Sequence, residues 1–94
     1  MRDDDFEWDD GKARANIARH GVTFEMAREA FEDPFALGWR DDSERYDEDR
    51  YVMLGMVEER LLSVVHTTRD DRIRVISARG AEPWERRRYH GANT

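Results

Sequence analysis

Two arginines flank a short, mostly apolar run near the C-terminal end of the chain, and groups able to transfer protons lie on both sides of it. Arg74 and Arg79 bound the run, His66 precedes it, and Glu85 and Tyr89 follow it. Cleavage of RNA without a metal needs a base for the 2′-hydroxyl proton, an acid for the leaving oxygen and cations for the developing phosphorane charge. His66, Glu85 or Tyr89 can carry the protons, and the arginines can bind phosphate bidentately.

The same residues also have a purely structural interpretation. Arginines on an exposed sheet face are usually solvated, and Glu85 can pair with Arg88 or Tyr89 across one turn of a helix. Spacing alone favours this interpretation, because charged clusters also arise in ordinary ion-pair networks. The catalytic hypothesis therefore needs support from the rest of the chain.

A second polar group lies on the predicted first helix. Lys12, Asn16 and His20 recur at four-residue intervals, which places them along one helix face. They can form the polar rim of a groove that binds the substrate RNA. The structural alternative is favoured, in which they make caps and hydrogen bonds and His20 gains from the negative end of the helix dipole.

Three more residues complete the RNA-binding hypothesis. Arg69 is a further phosphate ligand, and Trp84 begins a basic helix where its indole can stack on a base, although docking against the sheet is the commoner fate. Arg86 opens a run of three arginines that point in successive directions around a helix, so the run cannot converge on one ligand. Other large aromatic residues are interpreted as packing: Trp8, Phe24, Phe31, Phe35, Trp39 and Tyr51.

Charge is divided unevenly along the chain. Residues 1–59 carry 18 Asp/Glu and 8 Lys/Arg, whereas residues 60–94 carry 4 Asp/Glu and 8 Arg, within a net charge of -6. The C-terminal part can attract a polyanion, whereas the chain as a whole should not.

Composition narrows the class of protein. A length of 94 residues with 38% hydrophobic residues predicts one domain over residues 1–94 with a small core. The chain has no cysteine, no histidine pair at metal-binding spacing and no Gly-rich phosphate loop, so we expect neither a metal nor another cofactor. No apolar run approaches the ~20 residues of a membrane span, and the N-terminus does not resemble a signal peptide. We expect a soluble, cytoplasmic protein with no membrane partner.

Cap and turn signals predict two helices before the strands. Residues 6–8 read as a short extended piece, and Asp9 or Asp10 can cap a helix over residues 11–20 that Gly21 ends. Thr23 can cap a second helix. Its apolar stripe consists of Phe24, Ala27 and Phe31, and Asp33-Pro34 terminates it.

Four strands and a closing helix follow. The strands are predicted over residues 35–40, 50–57, 60–68 and 72–79, with an acidic loop over residues 41–49 and tight turns at Glu58-Glu59 and Asp70-Asp71. Pro83 fits the first turn of a helix that extends to Tyr89 or His90. The chain should be an α+β domain with two N-terminal helices, a four-stranded antiparallel sheet and a C-terminal helix.

Strand alternation bears on the candidate site. If the last strand is regular throughout, Arg74 and Arg79 point to opposite faces of the sheet. Arg79 lies next to Gly80, where the chain is expected to turn, so its direction stays open.

The chain resembles the BrnT family of bacterial toxins, the toxin half of a type II toxin–antitoxin pair. The order and spacing of the matching motifs over most of the chain make the resemblance specific. The motifs are Phe6-Glu7-Trp8-Asp9, Lys12 with Asn16, His20-Gly21-Val22 with Phe24, Ala27 and Phe31, Asp33-Pro34, Val64-Val65-His66-Thr67, Ile73 to Arg79, Ala81, and Glu85-Arg86 to Tyr89.

The resemblance implies a RelE-like fold and an endoribonuclease that blocks translation. It also implies neutralisation by a BrnA-type ribbon-helix-helix antitoxin, with DNA bound only indirectly, through the antitoxin. It directs the catalytic hypothesis first to Arg74, Arg79, Glu85 and Tyr89, and then to Lys12, His20 and His66.

The junction before the closing helix departs from the family pattern. Family members commonly place Thr and basic residues there, whereas this chain has Gly80-Ala81-Glu82-Pro83-Trp84, which removes positive charge and adds a carboxylate. Because backbone attraction scales with the cations at the phosphates, an alternative stays open. The chain can instead be a protein-binding toxin without nuclease action, or the non-DNA-binding half of a repressor complex.

Overall fold

The computed structural model describes residues 1–42 and 48–93 as an α+β fold. Residues 43–47 of the predicted acidic loop, and Thr94, lie outside the described residues. The elements in chain order are β1 (Phe6–Glu7), α1 (Asp10–His20), α2 (Phe24–Ala30), β2 (Leu37–Arg40), β3 (Tyr51–Val57), β4 (Arg60–Arg69), β5 (Arg72–Gly80) and α3 (Pro83–Ala92). None of these helices is long and apolar enough to cross a membrane.

The described strands form one mixed sheet in the order β1-β5-β4-β3-β2. The predicted four-stranded antiparallel sheet is therefore incomplete, because Phe6–Glu7 adds a fifth strand that runs parallel to β5 beside Ile73 and Arg74. The other neighbours are antiparallel, and β3, β4 and β5 differ from their predicted bounds by one residue each.

The first antiparallel strand begins later than predicted. Asp33 accepts hydrogen bonds from the backbone of Phe35, through its carboxylate, and of Ala36, through its carbonyl. These bonds hold the segment after α2 in a turn, so β2 starts at Leu37 and not at residue 35.

The cap residues lie where they were predicted, but α2 ends at Ala30, before the predicted stop at Asp33-Pro34. The Asp9 carboxylate accepts from the backbone N–H of Lys12, Gly21 closes α1 at a left-handed φ of 66°, and Thr23 caps α2. Pro83 occupies the first turn of α3, as predicted, but α3 continues past His90 to Ala92.

Two separate clusters of apolar side chains pack against the sheet. The larger cluster joins α1 and α2 to one face through residues that include Phe24, Ala27, Leu62 and Val64. The smaller cluster joins α3 to the other face and consists of Leu54, Leu61, Ala81 and Tyr89, with Trp39 and Met56 at its edge. The sheet is thus covered on both faces, which gives each face a distinct set of polar residues.

A register shift interrupts the pairing of β4 with β5. Val65 pairs with Ser77, but the next residue of β4, His66, pairs with Val75. Ile76 is therefore an extra residue without a partner on β4, as in a β-bulge. An extra residue on one strand inverts the alternation of that strand on either side of it.

The shift brings the two candidate arginines to one face of the sheet. Arg79 pairs with Ser63 and Arg74 pairs with Thr67. Ser63 and Thr67 are four residues apart on β4, so they share a face, and Ser63 bonds to a side chain of α3. Regular alternation, which would send Arg74 and Arg79 to opposite faces, is therefore wrong for β5, and both lie on the α3 side.

Candidate active site

A cleft of about 300 Å³ lies between the sheet and the start of α3. The volume is at the lower end of the range for small-ligand sites. Of the predicted site residues, Arg79, Trp84 and Glu85 line it. The rest of the lining comes from β2, β3, β4 and the segment after β2, and it consists of Trp39, Asp41, Val52, Ser63 and Val65.

Arg79 and Glu85 form a two-point ion pair in the cleft. The Arg79 Nη1 to Glu85 Oε1 distance is 2.7 Å, and the Nη2 to Oε2 distance is 3.4 Å. The Arg79 side chain remains 36% exposed, whereas that of Glu85 is 1% exposed. The carboxylate is thus the fixed partner, and it orients a guanidinium that still reaches solvent.

Further donors hold the Glu85 carboxylate in place. The Ser63 hydroxyl donates to Oε2 at 2.9 Å, and the backbone N–H of Glu82 donates to Oε1 at 2.9 Å, as in one half of a capping box. Each carboxylate oxygen therefore accepts two hydrogen bonds. Burial alone would raise the pKa of Glu85, but the hydrogen bonds from Arg79, Glu82 and Ser63 outweigh it and lower the pKa. Glu85 is ionised at neutral pH, with its lone pairs in use.

Arg74 lies on the same face of the sheet but in a different ion pair. Its Nη1 is 3.2 Å from Oε2 of Glu7, and both side chains are mostly buried. Glu7 and Arg74 are also paired in the sheet, so this side-chain bond reinforces the contact between β1 and β5. Arg74 therefore holds the short parallel strand in place and does not line the cleft.

His66 lies on the opposite face of the sheet from the cleft. Its ring packs edge-on against Phe31 at 4.9 Å between centroids, and it faces Tyr51 across the strand pair at 5.8 Å. Burial lowers the pKa of His66, so the imidazole is neutral at neutral pH. The sheet separates His66 from Arg79 and Glu85.

Tyr89 ties α3 to the segment after α2. Its hydroxyl donates to Oδ2 of Asp33 at 2.6 Å, and the same oxygen accepts from the backbone N–H of Met56 at 2.8 Å. Burial, together with the Asp33 carboxylate, raises the pKa of Tyr89 to about 12. The phenol therefore stays protonated and is committed to a structural hydrogen bond.

The candidate residues of α1 lie outside the cleft. Asn16 is buried, and its amide pairs with both backbone groups of Ala78 while also donating to the carbonyl of Val22. Lys12 is exposed and His20 is half-buried. Because α1 packs on the face opposite α3, the structure does not bring this helix to the Arg79–Glu85 pair.

The remaining RNA-binding candidates divide between the cleft and the surface. Arg69 is exposed, 3.6 Å from Glu48. Trp84 is 44% exposed, and its indole nitrogen donates to Oε2 of Glu82 at 3.0 Å. Arg86 is exposed on α3. Of these three, Trp84 alone lines the cleft.

Sequence reasoning missed three contributors to the site. Ser63 was treated only as a strand residue, Trp39 was assigned to packing, and Glu82 was seen only as an unfavourable charge. The capping pattern of Glu82 and Glu85 could have indicated that these two carboxylates lie together at the start of α3. Nothing in the local sequence indicates that Ser63 or Trp39 reaches the same cleft.

No three His, Asp or Glu side chains within residues 1–42 and 48–93 are arranged to hold a metal ion.

No curated protein matches the sequence significantly. A family model described as "Ribonuclease toxin, BrnT, of type II toxin-antitoxin system" matches residues 8–85. The chain belongs to the BrnT family. The match covers every described strand and helix except β1 and most of α3, of which it includes only residues 83–85, and all the residues that line the cleft lie within it.

Proposed function

We propose that this chain is a metal-independent endoribonuclease that inhibits translation by cleaving RNA at the cleft between the sheet and α3. The observation that carries the proposal is the Arg79 guanidinium, which buried Glu85 holds while it stays 36% exposed. A cation fixed before the substrate arrives stabilises developing phosphorane charge without reorganising. Membership of a ribonuclease toxin family supports the same chemistry.

The residues of the cleft divide into two roles. Arg79 binds the scissile phosphate bidentately, since its planar guanidinium matches two phosphate oxygens. Glu85 and Ser63 position Arg79. Attack of the 2′-hydroxyl oxygen on phosphorus, with its proton released to solvent water, breaks the bond to the 5′-oxygen. That oxygen takes a proton from solvent water and leaves as a 5′-hydroxyl, and a 2′,3′-cyclic phosphate remains.

Three predicted catalytic residues act through the fold. Arg74 anchors β1, Tyr89 anchors α3 and His66 packs on the far face of the sheet. We propose that none of them transfers a proton in the reaction. Lys12, His20, Arg69 and Arg86 contribute at most general attraction for the RNA backbone.

The partner is a type II antitoxin, and we propose the BrnA-type ribbon-helix-helix class that the motif resemblance implies. Such an antitoxin inactivates the chain by covering the cleft and α3, and any DNA is contacted through the antitoxin. Both act in the cytoplasm. Co-purification of the chain with the product of the adjacent gene tests this part.

Cleavage by the purified chain, with and without a chelator, tests the enzyme. The wild type should cleave RNA to a 2′,3′-cyclic phosphate in the presence of EDTA. Arg79→Ala should lower the rate by about 100- to 1,000-fold, as the loss of a charge-stabilising donor does. Arg19→Ala is the matched control, because it removes an exposed arginine from α1 on the other face. A wild type that leaves RNA and ribosome-bound message intact contradicts the proposal.

One observation favours the protein-binding alternative. Glu82 and Glu85 lie 3.8 and 2.7 Å from Arg79, Asp41 lines the same cleft, and these carboxylates oppose a phosphate. Inducing the chain in cells separates the two functions, since a nuclease degrades messenger RNA as growth stops, whereas a toxin that acts by binding a protein stops growth while messenger RNA is still intact.

A further inference from the structure

Two tryptophans stand together in the cleft beside Arg79. The ring centroids of Trp39 and Trp84 are 6.1 Å apart, with their planes inclined at 50°. Both line the cleft, with Val52 and Val65 as apolar neighbours. Trp84 is 44% exposed, so its indole is accessible to a ligand.

Polar contacts fix both indoles in orientation. The Trp84 nitrogen donates to Glu82 at 3.0 Å, and the Arg88 guanidinium lies 4.3 Å from the centre of the Trp39 ring. A planar ligand that contacts them meets aromatic surfaces that are already ordered, so binding loses little side-chain entropy. The Glu82 carboxylate thus helps to hold the Trp84 indole in position.

We propose that Trp39 and Trp84 form a nucleobase subsite for single-stranded RNA, next to the phosphate that Arg79 binds. The inference rests on the proposed function, because it assigns the substrate of the same cleft. Stacking needs an unpaired base, since the faces of paired bases in a helix are already covered.

The combination of aromatic surface and guanidinium groups in the cleft suits a nucleotide better than an apolar peptide. Arg79 lines the cleft together with both indoles, and the Arg88 guanidinium lies over the Trp39 ring. Two carboxylates line the cleft, Asp41 and Glu85, and Glu85 is ion-paired with Arg79. Glu82 lies outside the lining and accepts from the Trp84 indole. A base on the indoles with its phosphate at Arg79 uses the apolar and cationic surfaces together.

Binding of a short RNA whose riboses are 2′-O-methylated tests the subsite, since the blocked hydroxyl prevents cleavage. Trp84→Ala should weaken binding about tenfold or more, and Trp84→Phe should keep most of the affinity, because stacking on an aromatic ring is retained. Phe35→Ala is the matched control, since Phe35 is 61% exposed and outside the cleft. A backbone of the same length without bases should bind the wild type and Trp84→Ala equally.

The subsite proposal is wrong if folded Trp84→Ala binds the RNA as tightly as the wild type does. It is also wrong if the substitution weakens binding of the base-free backbone as much as binding of the RNA. Loss of antitoxin affinity with unchanged RNA affinity would assign the two indoles to a protein interface instead. Cleavage assays distinguish failure of the subsite proposal from failure of the nuclease proposal. If the wild type binds RNA through its bases but never cleaves it, the nuclease proposal alone is wrong. If cleavage depends on Arg79 but Trp84→Ala leaves it unchanged, the subsite proposal alone is wrong.

Discussion

The Glu85 carboxylate is almost completely buried and lies 2.7 Å from the exposed end of Arg79. Its other bonds, from Ser63 and from the backbone of Glu82, fix the carboxylate whether or not Arg79 is occupied by a ligand. A phosphate that binds Arg79 therefore meets a guanidinium held from behind. In the proposed reaction the Glu85 carboxylate supports the Arg79 cation, and Glu85 is therefore a positioning residue.

Glu85→Gln should destabilise the chain and also slow cleavage. The amide preserves the shape but has no charge, and its NH₂ group cannot accept from the donors that now bind the carboxylate. We expect a loss of about 2–3 kcal/mol in the free energy of unfolding, as for hydrogen bonds to a charged group. Urea unfolding measures it. Glu59→Gln, at an exposed turn, should stay within about 0.5 kcal/mol of the wild type. A fully stable Glu85→Gln would show that the carboxylate does not hold the site.

Acid should remove the contribution of Glu85. Its pKa in the fold lies below the ordinary value of 4.5, so the unfolded chain takes up the proton at a higher pH than the folded chain does. The stabilisation is complete above pH 4.5 and disappears as the pH falls through the lowered pKa. The unfolding free energies of wild type and Glu85→Gln, measured from pH 7 downwards, should converge in acid. A constant gap between the two curves would contradict the lowered pKa.

Tyr89→Phe should lower the stability of the fold without slowing cleavage. Removal of the hydroxyl leaves Asp33 with its backbone donors Met56 and Phe35, so we expect a loss of about 1–2 kcal/mol. Cleavage by the folded variant should stay close to that of the wild type. A rate loss of about 100-fold or more, the signature of a missing proton-transfer group, would instead place the phenol in the reaction.

His66 should make the fold sensitive to mild acid without affecting cleavage. Its folded pKa is below 6.5, so the unfolded chain binds a proton first as the pH falls below 6.5, and stability is lost in that window. In His66→Gln this part of the pH dependence should vanish. RNA cleavage at neutral pH should persist in the variant, whereas a loss of about 100-fold would indicate proton transfer by the imidazole.

Substitutions at Asn16 and Lys12 should differ sharply in their effect on the free energy of unfolding, although the two residues share a face of α1. Asn16→Ala leaves the backbone groups of Ala78 and the carbonyl of Val22 without a partner, and we expect a loss of about 3 kcal/mol. Lys12→Ala, at an exposed position, should change stability by less than about 0.5 kcal/mol. Thermal or urea unfolding compares them, and equal effects would contradict the pairing of Asn16 with β5.

The parts of the fold that depend on local chemistry were predictable. Asp9, Gly21 and Thr23 mark the ends of helices through their own backbone and side-chain bonds, and Asp70-Asp71 forms the predicted turn with both residues at positive φ. Strand β1 was not predictable, because two residues carry no periodic pattern and its partner, β5, is far away in the sequence.

The candidate site was predictable only in part. Arg79, Trp84 and Glu85 were identified from residue type and spacing, and the structure brings them to one cleft. His66 seemed equally suitable, but strand alternation does not reveal which face each helix covers. Trp39 joined the cleft through the strand order, which places β2 at the edge of the sheet on the far side of β3.

The extra residue at Ile76 determines which spacings along β5 place two side chains on the same face of the sheet. With the bulge, two residues of β5 on either side of it share a face when their residue numbers differ by an odd number, as those of Arg74 and Arg79 do. Without it, the separation must be even. A relative that lacks the bulge but keeps this five-residue spacing would turn one arginine into the α1 and α2 core. Insertions and deletions in this strand should therefore occur together with a shift in the position of one arginine.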